Sequence, residues 1–223
     1  MPALHRDGEV FILNLGETEN RFHPDWLDEV QAHLDTVENA EGPRALVTTA
    51  TGKFFSNGLD LDWVGQNSDK FLDYVNSVHA LLARPLAMGV PSVAAIQGHA
   101  FAGGGMFALA HDFRVMRVDR GFFCLPEVDI NIPFTRGMSG LIQGRLSKKT
   151  AHEAMTTGRR YGGEDARSAG IVDAVAHEDD VLSAAIEIAR PLVGKAGPTL
   201  ATIKARMYPD ALAALRDTEA PID

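Results

Sequence analysis

The sequence contains a single cysteine, Cys124, among 223 residues. One thiol cannot form a disulfide within the chain, and no Cys or His residues are spaced like the ligands of a zinc site. Redox and metal-dependent activities are therefore disfavoured, and we expect no bound metal.

Long apolar segments are absent as well. No run approaches the roughly 18 residues that span a bilayer, and the opening MPALHRDGEV carries no apolar signal segment. We therefore expect a cytoplasmic protein with no membrane span.

Positive charge is scarce, because 21 Lys and Arg residues face 30 Asp and Glu residues and the formal net charge is −9. Such a surface repels a phosphate backbone, so we expect no nucleic-acid partner. One local basic cluster is interpreted as a solvated helical face, with a phosphate contact as the alternative. It comprises Arg145, Lys148, Lys149, Arg159 and Arg160.

The remaining composition is typical of one globular α/β domain. Hydrophobic residues make up 45% of the chain, and the sequence has no internal repeat or low-complexity linker. Short apolar runs alternate with longer amphipathic segments, which favours an α/β fold. The pattern predicts strands over residues 8–16, 45–51, 92–98, 113–116, 121–125 and 171–176. It predicts helices over residues 23–40, 69–83 and 102–110, with several more after residue 136.

Common nucleotide-binding and hydrolase motifs are incomplete. Gly98 and Gly103 have the spacing of a P-loop, but Gly104 follows where that loop requires lysine. Ser139 lies in GMSG rather than GxSxG, and HEAMT lacks the second histidine of a zinc protease. We therefore expect neither nucleotide triphosphate chemistry nor a serine or zinc hydrolase.

Three segments with unusual composition remain. GKFFSNGLDL (52–61) is a loop rich in apolar residues, AFAGGG (100–105) opens an apolar helix, and LPEVDI (125–130) follows a predicted strand. Glycines at a helix start let a ligand approach the backbone N–H groups, where the helix dipole adds positive potential. Close packing between segments is the alternative explanation for these glycines.

Together these segments make the chain resemble the crotonase superfamily, the enoyl-CoA hydratase/isomerase family, from about Val10 to Lys204. Within it, RFHPD, FFSNGLDLDW and RGFFCLPEVDI are most similar to the monofunctional Δ3,Δ2-enoyl-CoA isomerases of the plant peroxisomal type. The resemblance implies an α/β spiral of ββα units, with a core over residues 1–195 and a shortened helical C-terminal segment over residues 196–223. It also implies an acyl-CoA thioester substrate, no cofactor apart from the CoA of that substrate, and a homotrimer or dimer of trimers.

The resemblance also implies the roles of individual residues. The backbone N–H groups of Leu59 and Gly104 would form an oxyanion hole, and a Cβ at Gly104 would crowd the thioester. Glu127 would be the acid-base residue, ionised in the resting enzyme. The other substrate-binding residues that the resemblance implies are Ser56, Gly58, Asp60, Leu61, Gly103 and Phe107.

One position separates the activities found in this family. Its hydratases use two glutamates, and here the first position is Phe107 while the second is Glu127. Adding water requires two carboxylates, whereas moving a double bond needs one base that takes a proton from C2 and returns it at C4. We therefore expect conversion of a 3-enoyl-CoA to a 2-enoyl-CoA. The alternatives are an enoyl-CoA hydratase or another crotonase-type activity, and a catalytically weak acyl-CoA-binding protein.

Four other polar residues compete for a role at the site. We expect Asp129 to be a structural acid beside Glu127, and Asp112 to cap or pair locally after the apolar helix. His99 and His111 have no partner visible in the sequence, so we expect both to be structural.

Overall fold

The computed structural model describes residues 1–219, and its strands form two sheets within that range. The large sheet has the order β1-β2-β3-β5-β7-β9, and the small sheet has the order β4-β6-β8. The strands are β1 (Ala3–Asp7), β2 (Val10–Asn14), β3 (Ala45–Thr49), β4 (Phe54–Ser56), β5 (Ser92–Ile96), β6 (His99–Phe101), β7 (Phe113–Arg117), β8 (Phe123–Cys124) and β9 (Ala174–Ala176). Only the β1–β2 pair is antiparallel among these strands.

Ten α-helices surround the two sheets in the described part of the chain. They are α1 (Pro24–Asn39), α2 (Leu61–Gln66), α3 (Phe71–Ala87), α4 (Gly103–Ala110), α5 (Arg136–Arg145), α6 (Lys148–Thr157), α7 (Gly163–Ser168), α8 (Val181–Ala189), α9 (Pro198–Met207) and α10 (Pro209–Arg216). No helix within residues 1–219 has both the length and the apolar character needed to cross a membrane.

The chain repeats one structural unit three times. In each unit a strand of the large sheet is followed by a strand of the small sheet and then by helical segments: β3-β4-α2, β5-β6-α4 and β7-β8-α5. In each unit the chain therefore crosses from the large sheet to the small sheet, and helical segments follow before the next strand of the large sheet. The predicted spiral of ββα units is confirmed.

The spiral places the ends of three consecutive small-sheet strands beside one another. Since β4, β6 and β8 run parallel, the segments that follow them leave the small sheet at the same edge. These segments are the loop before α2, the start of α4, and a one-turn 3₁₀ helix over Pro126–Val128. The three segments singled out in the sequence thus meet in space.

The C-terminal helices pack back onto the core of the same chain. Ala211, Leu212 and Leu215 of α10 are buried against α5 and α3. A Cβ added to Gly137 or Gly140 of α5 would press on α10, so these glycines allow close helix packing. Residues 196–219 of the predicted C-terminal segment therefore hold α9 and α10, while 220–223 lie outside the described residues.

Two expectations about polar residues near α9 are wrong. Asp112 does not pair only locally, because its carboxylate forms an ion pair with Lys204 of α9 at 2.9 Å and accepts a bond from Ser92 N–H at 2.8 Å. Arg145 does not belong to a solvated face, because its guanidinium donates to the carbonyl oxygens of His111 and Asp112. The Arg145 guanidinium thus satisfies carbonyl groups that follow α4, and the Asp112 carboxylate connects the start of β5 with α9; sequence proximity reveals neither contact.

Candidate active site

The loop after β4 is held by hydrogen bonds to the segment before α1. Asn20 has a left-handed backbone, with φ 49°, and its amide donates to the carbonyl oxygens of Phe54 and Phe55 at 3.1 Å. The hydroxyl of Ser56 donates to Asn20 O at 2.8 Å and accepts from Gly58 N–H at 3.1 Å. Because Ser56 is fully buried and its hydroxyl forms two hydrogen bonds within the protein, its side chain stabilises the conformation of the loop.

The same loop packs backbone against backbone on the start of α4. A Cβ on Gly58 would lie 2.6 Å from Gly103 N, and a Cβ on Gly104 would overlap the carbonyl oxygen of Ser56. Gly58 also has φ 78°, a conformation that favours glycine. Contact with the loop therefore requires glycine at position 104, and the expected crowding of a thioester by a Cβ there stays a prediction.

This packing leaves two N–H groups without protein acceptors. Within residues 1–219, neither the N–H of Leu59 nor that of Gly104 donates to a backbone or side-chain acceptor. Gly104 lies in the first turn of α4, where N–H groups have no intrahelical partner and carry a partial positive charge. Ala102 starts this turn with φ 49°, a strained value for a residue with a Cβ, and such strain is concentrated at functional sites.

Glu127 supplies the carboxylate. It lies in the 3₁₀ turn after β8, is only 6% exposed, and its Oε2 has no hydrogen-bond partner among the described residues. Burial raises the pKa of Glu127 to about 7, because an ionised carboxylate loses its hydration there. At neutral pH the carboxyl is therefore divided between its acidic and basic forms rather than fully ionised as expected.

One cavity of about 340 Å³ brings these groups together. Leu59, Ala102 and Glu127 all line it, so the residue whose N–H is free, the residue that caps the start of α4 and the residue with the buried carboxyl border one space, whereas Gly104 is not part of its described lining. Its other lining residues are Arg21, Asn57, Leu61, Asp62, Phe101, Pro126, Ile130 and Ile132. Arg21, Ile130 and Ile132 were not among the residues predicted from the sequence.

A second cavity, of about 470 Å³, lies on the other side of Glu127. Its lining is mostly apolar and includes Val128, Ile132, Phe134 and Met155. Since Glu127 and Ile132 border both cavities, the carboxylate stands between two spaces that could each hold part of a ligand.

Phe107 was predicted to contact the substrate, but its side chain lies in the core. It is fully buried, meets Phe22 edge-on at 6.4 Å and His111 at 5.0 Å, and is not part of either cavity wall. Gly103 is also buried, between Phe22 and Leu59. The position that would hold a second glutamate in the family's hydratases is therefore apolar, and it lines neither cavity that Glu127 borders.

The remaining acids and histidines have structural partners or face solvent. Asp60 caps α2 by accepting from Trp63 N–H at 3.2 Å, and Asp129 is exposed. Both ring nitrogens of His111 are engaged, with Phe107 O and the Thr48 hydroxyl, and burial lowers the pKa of His111 to about 3. His99 is stacked among phenylalanines outside the Glu127 cavity.

The geometry combines one base of near-neutral pKa with N–H donors held without acceptors. Such a base can remove a proton from a carbon acid, and such donors stabilise an oxyanion that forms as the proton leaves. The cavity is suited to proton transfer beside a carbonyl group.

Comparisons with known proteins agree with this chemistry. The family model described as Enoyl-CoA hydratase/isomerase matches residues 10–220. Enoyl-CoA delta isomerase 3 of Arabidopsis thaliana is 38% identical over 221 residues, which cover 94% of this chain and 93% of that protein. Enoyl-CoA delta isomerase 2, peroxisomal, of the same plant is 34% identical, with 94% and 93% covered.

Solved structures share the fold. An apo enoyl-CoA isomerase of Mycobacterium tuberculosis superposes with a TM-score of 0.89 at 27% identity, over 97% of this chain and 95% of that chain. Human mitochondrial delta3-delta2-enoyl-CoA isomerase, at 24% identity, superposes with a TM-score of 0.86 over 95% and 84% of the two chains. With its sequence matched almost from end to end and its spiral shared with these structures, the chain belongs to the enoyl-CoA hydratase/isomerase family.

Proposed function

We propose that this protein is a Δ3,Δ2-enoyl-CoA isomerase in which Glu127 moves the proton. The observation that carries the proposal is the buried Glu127 carboxyl, whose Oε2 has no hydrogen-bond partner in the described residues, in a cavity that is also lined by Leu59, a residue with a free N–H. A base for carbon acids works best with a pKa near the working pH, and burial raises the pKa of Glu127 to about 7.

The proposed reaction has two proton transfers and one intermediate. Glu127 takes a proton from C2 of a 3-enoyl-CoA, and the electrons move onto the thioester oxygen to give a dienolate. The N–H groups of Leu59 and Gly104 donate to that oxygen, and each such donor lowers a barrier by about 3–4 kcal/mol in a water-excluded site. Glu127 then returns the proton at C4, which leaves the double bond between C2 and C3.

The position of Phe107 favours isomerisation over hydration. A hydratase holds its water between two carboxylates, and the described walls of the cavity offer Glu127 and Asp62. Asp62 is 80% exposed and forms an ion pair with Arg21, so it lacks the burial that raises the pKa of Glu127. Of these two acids, only Glu127 has the buried environment expected of an acid-base residue.

The test is to supply 3-enoyl-CoA and 2-trans-enoyl-CoA of equal length in separate reactions. We expect the first to gain the ultraviolet absorbance of a conjugated thioester and the second to remain unhydrated. Rapid conversion of the second to a 3-hydroxyacyl-CoA would assign the hydratase instead. Tight binding of both esters without any turnover would assign a catalytically weak acyl-CoA-binding protein.

We further propose that the chain forms a homotrimer or a dimer of trimers. Support comes from an aromatic and basic patch on the small sheet, in which His99 lies 4.8 Å from Phe101 and 5.7 Å from Phe122. The patch consists of Lys53, Phe54, His99, Phe101, Arg120, Phe122 and Arg160. Its three cations form no ion pair within residues 1–219, whereas the whole chain has a net charge of −9, so another copy offers complementary charge. Analytical ultracentrifugation tests this, because Phe122→Ser should lower the mass of the assembly if the patch is an interface.

We propose the cytoplasm as the compartment of this protein, although two of the similar Arabidopsis proteins are named peroxisomal. Imaging of the tagged protein in its own cells distinguishes the two.

A further inference from the structure

Arg21 lies where the segment before α1 meets the loop that carries Leu59. The backbone joins the two segments on one side of Leu59: Asn57 N–H donates to Glu19 O at 2.9 Å, and Phe22 N–H donates to Gly58 O at 2.8 Å. Arg21 itself forms an isolated parallel bridge with Gly58. The residues before Leu59 are therefore held by backbone bonds.

The side chain of Arg21 reaches the residues on the other side of Leu59. Its Nε donates to Glu19 at 2.6 Å, while its Nη1 donates to Asp62 at 2.5 Å and lies 3.7 Å from the Asp60 carboxylate. One guanidinium thus connects the segment before α1 with Asp60, which caps α2, and with Asp62 in the first turn of α2. A planar guanidinium is suited to such simultaneous contacts, which the single ammonium of lysine cannot reproduce.

Leu59 depends on these neighbours for its position. Its own N–H has no acceptor within residues 1–219, and its carbonyl accepts only a 3.2 Å bond from Leu61 N–H in that range. Helix α2 has no fully buried residue, and its apolar packing is limited to Trp63 and Val64, which lie partly buried against the core. Tyr74 supports the same turn, because its hydroxyl accepts from Asp60 N–H at 2.8 Å and its ring lies 5.2 Å from that of Trp63.

We propose that Arg21 is a positioning residue for the oxyanion hole, which holds the N–H of Leu59 in place by clamping Asp60 and Asp62 to Glu19. The inference rests on the proposed isomerase chemistry. It differs from a direct contact between Arg21 and the phosphates of CoA, because a clamp affects the enolate state and a phosphate contact affects binding of every CoA ester equally.

The experiment compares Arg21→Ala and Arg21→Lys with Arg190→Ala as matched control. Arg190 forms an exposed ion pair with Asp7 at 3.0 Å and lies outside both Glu127 cavities. Four quantities are measured: kcat and KM with 3-hexenoyl-CoA, the dissociation constant of butanoyl-CoA, and the enolate fraction of bound acetoacetyl-CoA from its ultraviolet absorbance. The last needs no turnover, because this β-keto thioester ionises to an enolate when the oxyanion hole stabilises it.

We expect Arg21→Ala to lower kcat about 10–30-fold and to lower the enolate fraction, with binding of butanoyl-CoA changed less than about threefold. Arg21→Lys should recover little of either, and Arg190→Ala should match the wild type. Should Arg21→Ala fail to fold, Asp62→Asn breaks the outer end of the clamp at an exposed side chain, and it should lower both quantities by about threefold.

Three results would overturn the proposal. If Arg21→Ala lowers butanoyl-CoA binding and kcat/KM equally, Arg21 contacts the phosphates of CoA instead. If Arg21→Lys recovers full activity, the positive charge at this position is sufficient and no clamp is needed. If kcat and the enolate fraction are unchanged in both Arg21→Ala and Asp62→Asn, Arg21 does not position the oxyanion hole. If the wild type stabilises the enolate but isomerises nothing, the proposed function fails while the clamp is still tested.

Discussion

The two walls of the Glu127 cavity differ in how they are built. The donor wall, residues 56–59 and 102–104, consists of backbone packed so closely on backbone that glycines are required. The base wall, residues 126–132, is a turn held mainly by its own bonds, such as Ile132 N–H to Glu127 O at 3.1 Å, and it exposes Val128 by 47% and Ile130 by 45%. In the proposed reaction the donors would bind one thioester oxygen that stays in place, whereas the base would exchange a proton with two different carbons. A rigid wall facing a less constrained one meets both needs.

The largest effect should come from removing the base. Glu127→Gln keeps the shape of the side chain but cannot accept the C2 proton, so we expect kcat to fall by about 10³-fold or more while acyl-CoA binding is kept. Isomerase assays with isothermal titration measure both. Asp129→Asn, two residues away and exposed, is the control and should remain within about twofold of the wild type. Substantial turnover by Glu127→Gln would reject the assignment of the base wall.

The donor wall can be broken at Gly104. Gly104→Ala places a Cβ on the Ser56 carbonyl oxygen, so either α4 or the loop must move, and this movement would displace the N–H groups of Leu59 and Gly104 relative to each other. We expect kcat to fall by about 10²-fold, the cost of losing one donor. Gly194→Ala is the control, because a Cβ there meets no atom within 4 Å. A Gly104→Ala protein with normal kcat would show that the donors tolerate displacement.

The cost of burying the ionised Glu127 carboxylate in the base wall should appear in the free energy of unfolding. The folded protein binds a proton at Glu127 up to a pKa of about 7, whereas the unfolded chain releases it near 4.5, so wild-type stability falls as pH rises between these values. Glu127→Gln lacks this loss. We expect the variant to be more stable than the wild type by about 3 kcal/mol at pH 8 and equal to it at pH 4. Urea unfolding at both pH values measures the difference, and a variant less stable at pH 8 would contradict it.

The smallest effect is the pH dependence of the wild type. Only the ionised carboxylate accepts a proton, and burial raises the pKa of Glu127 to about 7. We therefore expect kcat/KM to fall about tenfold per pH unit below this value and to level off above it. Circular dichroism at each pH must show a folded protein. A limb centred near pH 4.5 would mean that the carboxyl is hydrated in solution, contrary to its burial.

The sequence predicts most of the architecture because its strands are short apolar runs in regular alternation with helices. It does not predict β1, which is a polar edge strand, or the three-residue strands β4 and β6. Strand β4 lies in the segment 52–61 that is predicted as a loop, and both short strands are recognisable only beside their neighbours in the small sheet. The predicted end of α3 at residue 83 is also too early, because Pro85 lies inside the last turn, where only one backbone bond is lost.

At the site, local pattern identifies the segments but not every orientation. Every residue of α4 is buried, so periodicity cannot show that Phe107 faces the core rather than the cavity. Arg21 is missed for a different reason: its importance comes from contacts with Asp60 and Asp62, which no spacing in the sequence reveals. The Glu127 assignment depends on spacing within the family, and the structure adds the burial that explains its chemistry.

The seclusion of the Glu127 carboxyl has an isotopic consequence. A deuteron taken from C2 would reside on an oxygen that solvent scarcely reaches, since the residue is 6% exposed. Return at C4 then competes with slow exchange, and product made in ordinary water keeps part of the label that the starting ester carried. The enzyme would transfer the same hydrogen from C2 to C4, so that the fraction of deuterium kept in the product measures how slowly the Glu127 proton exchanges with bulk water.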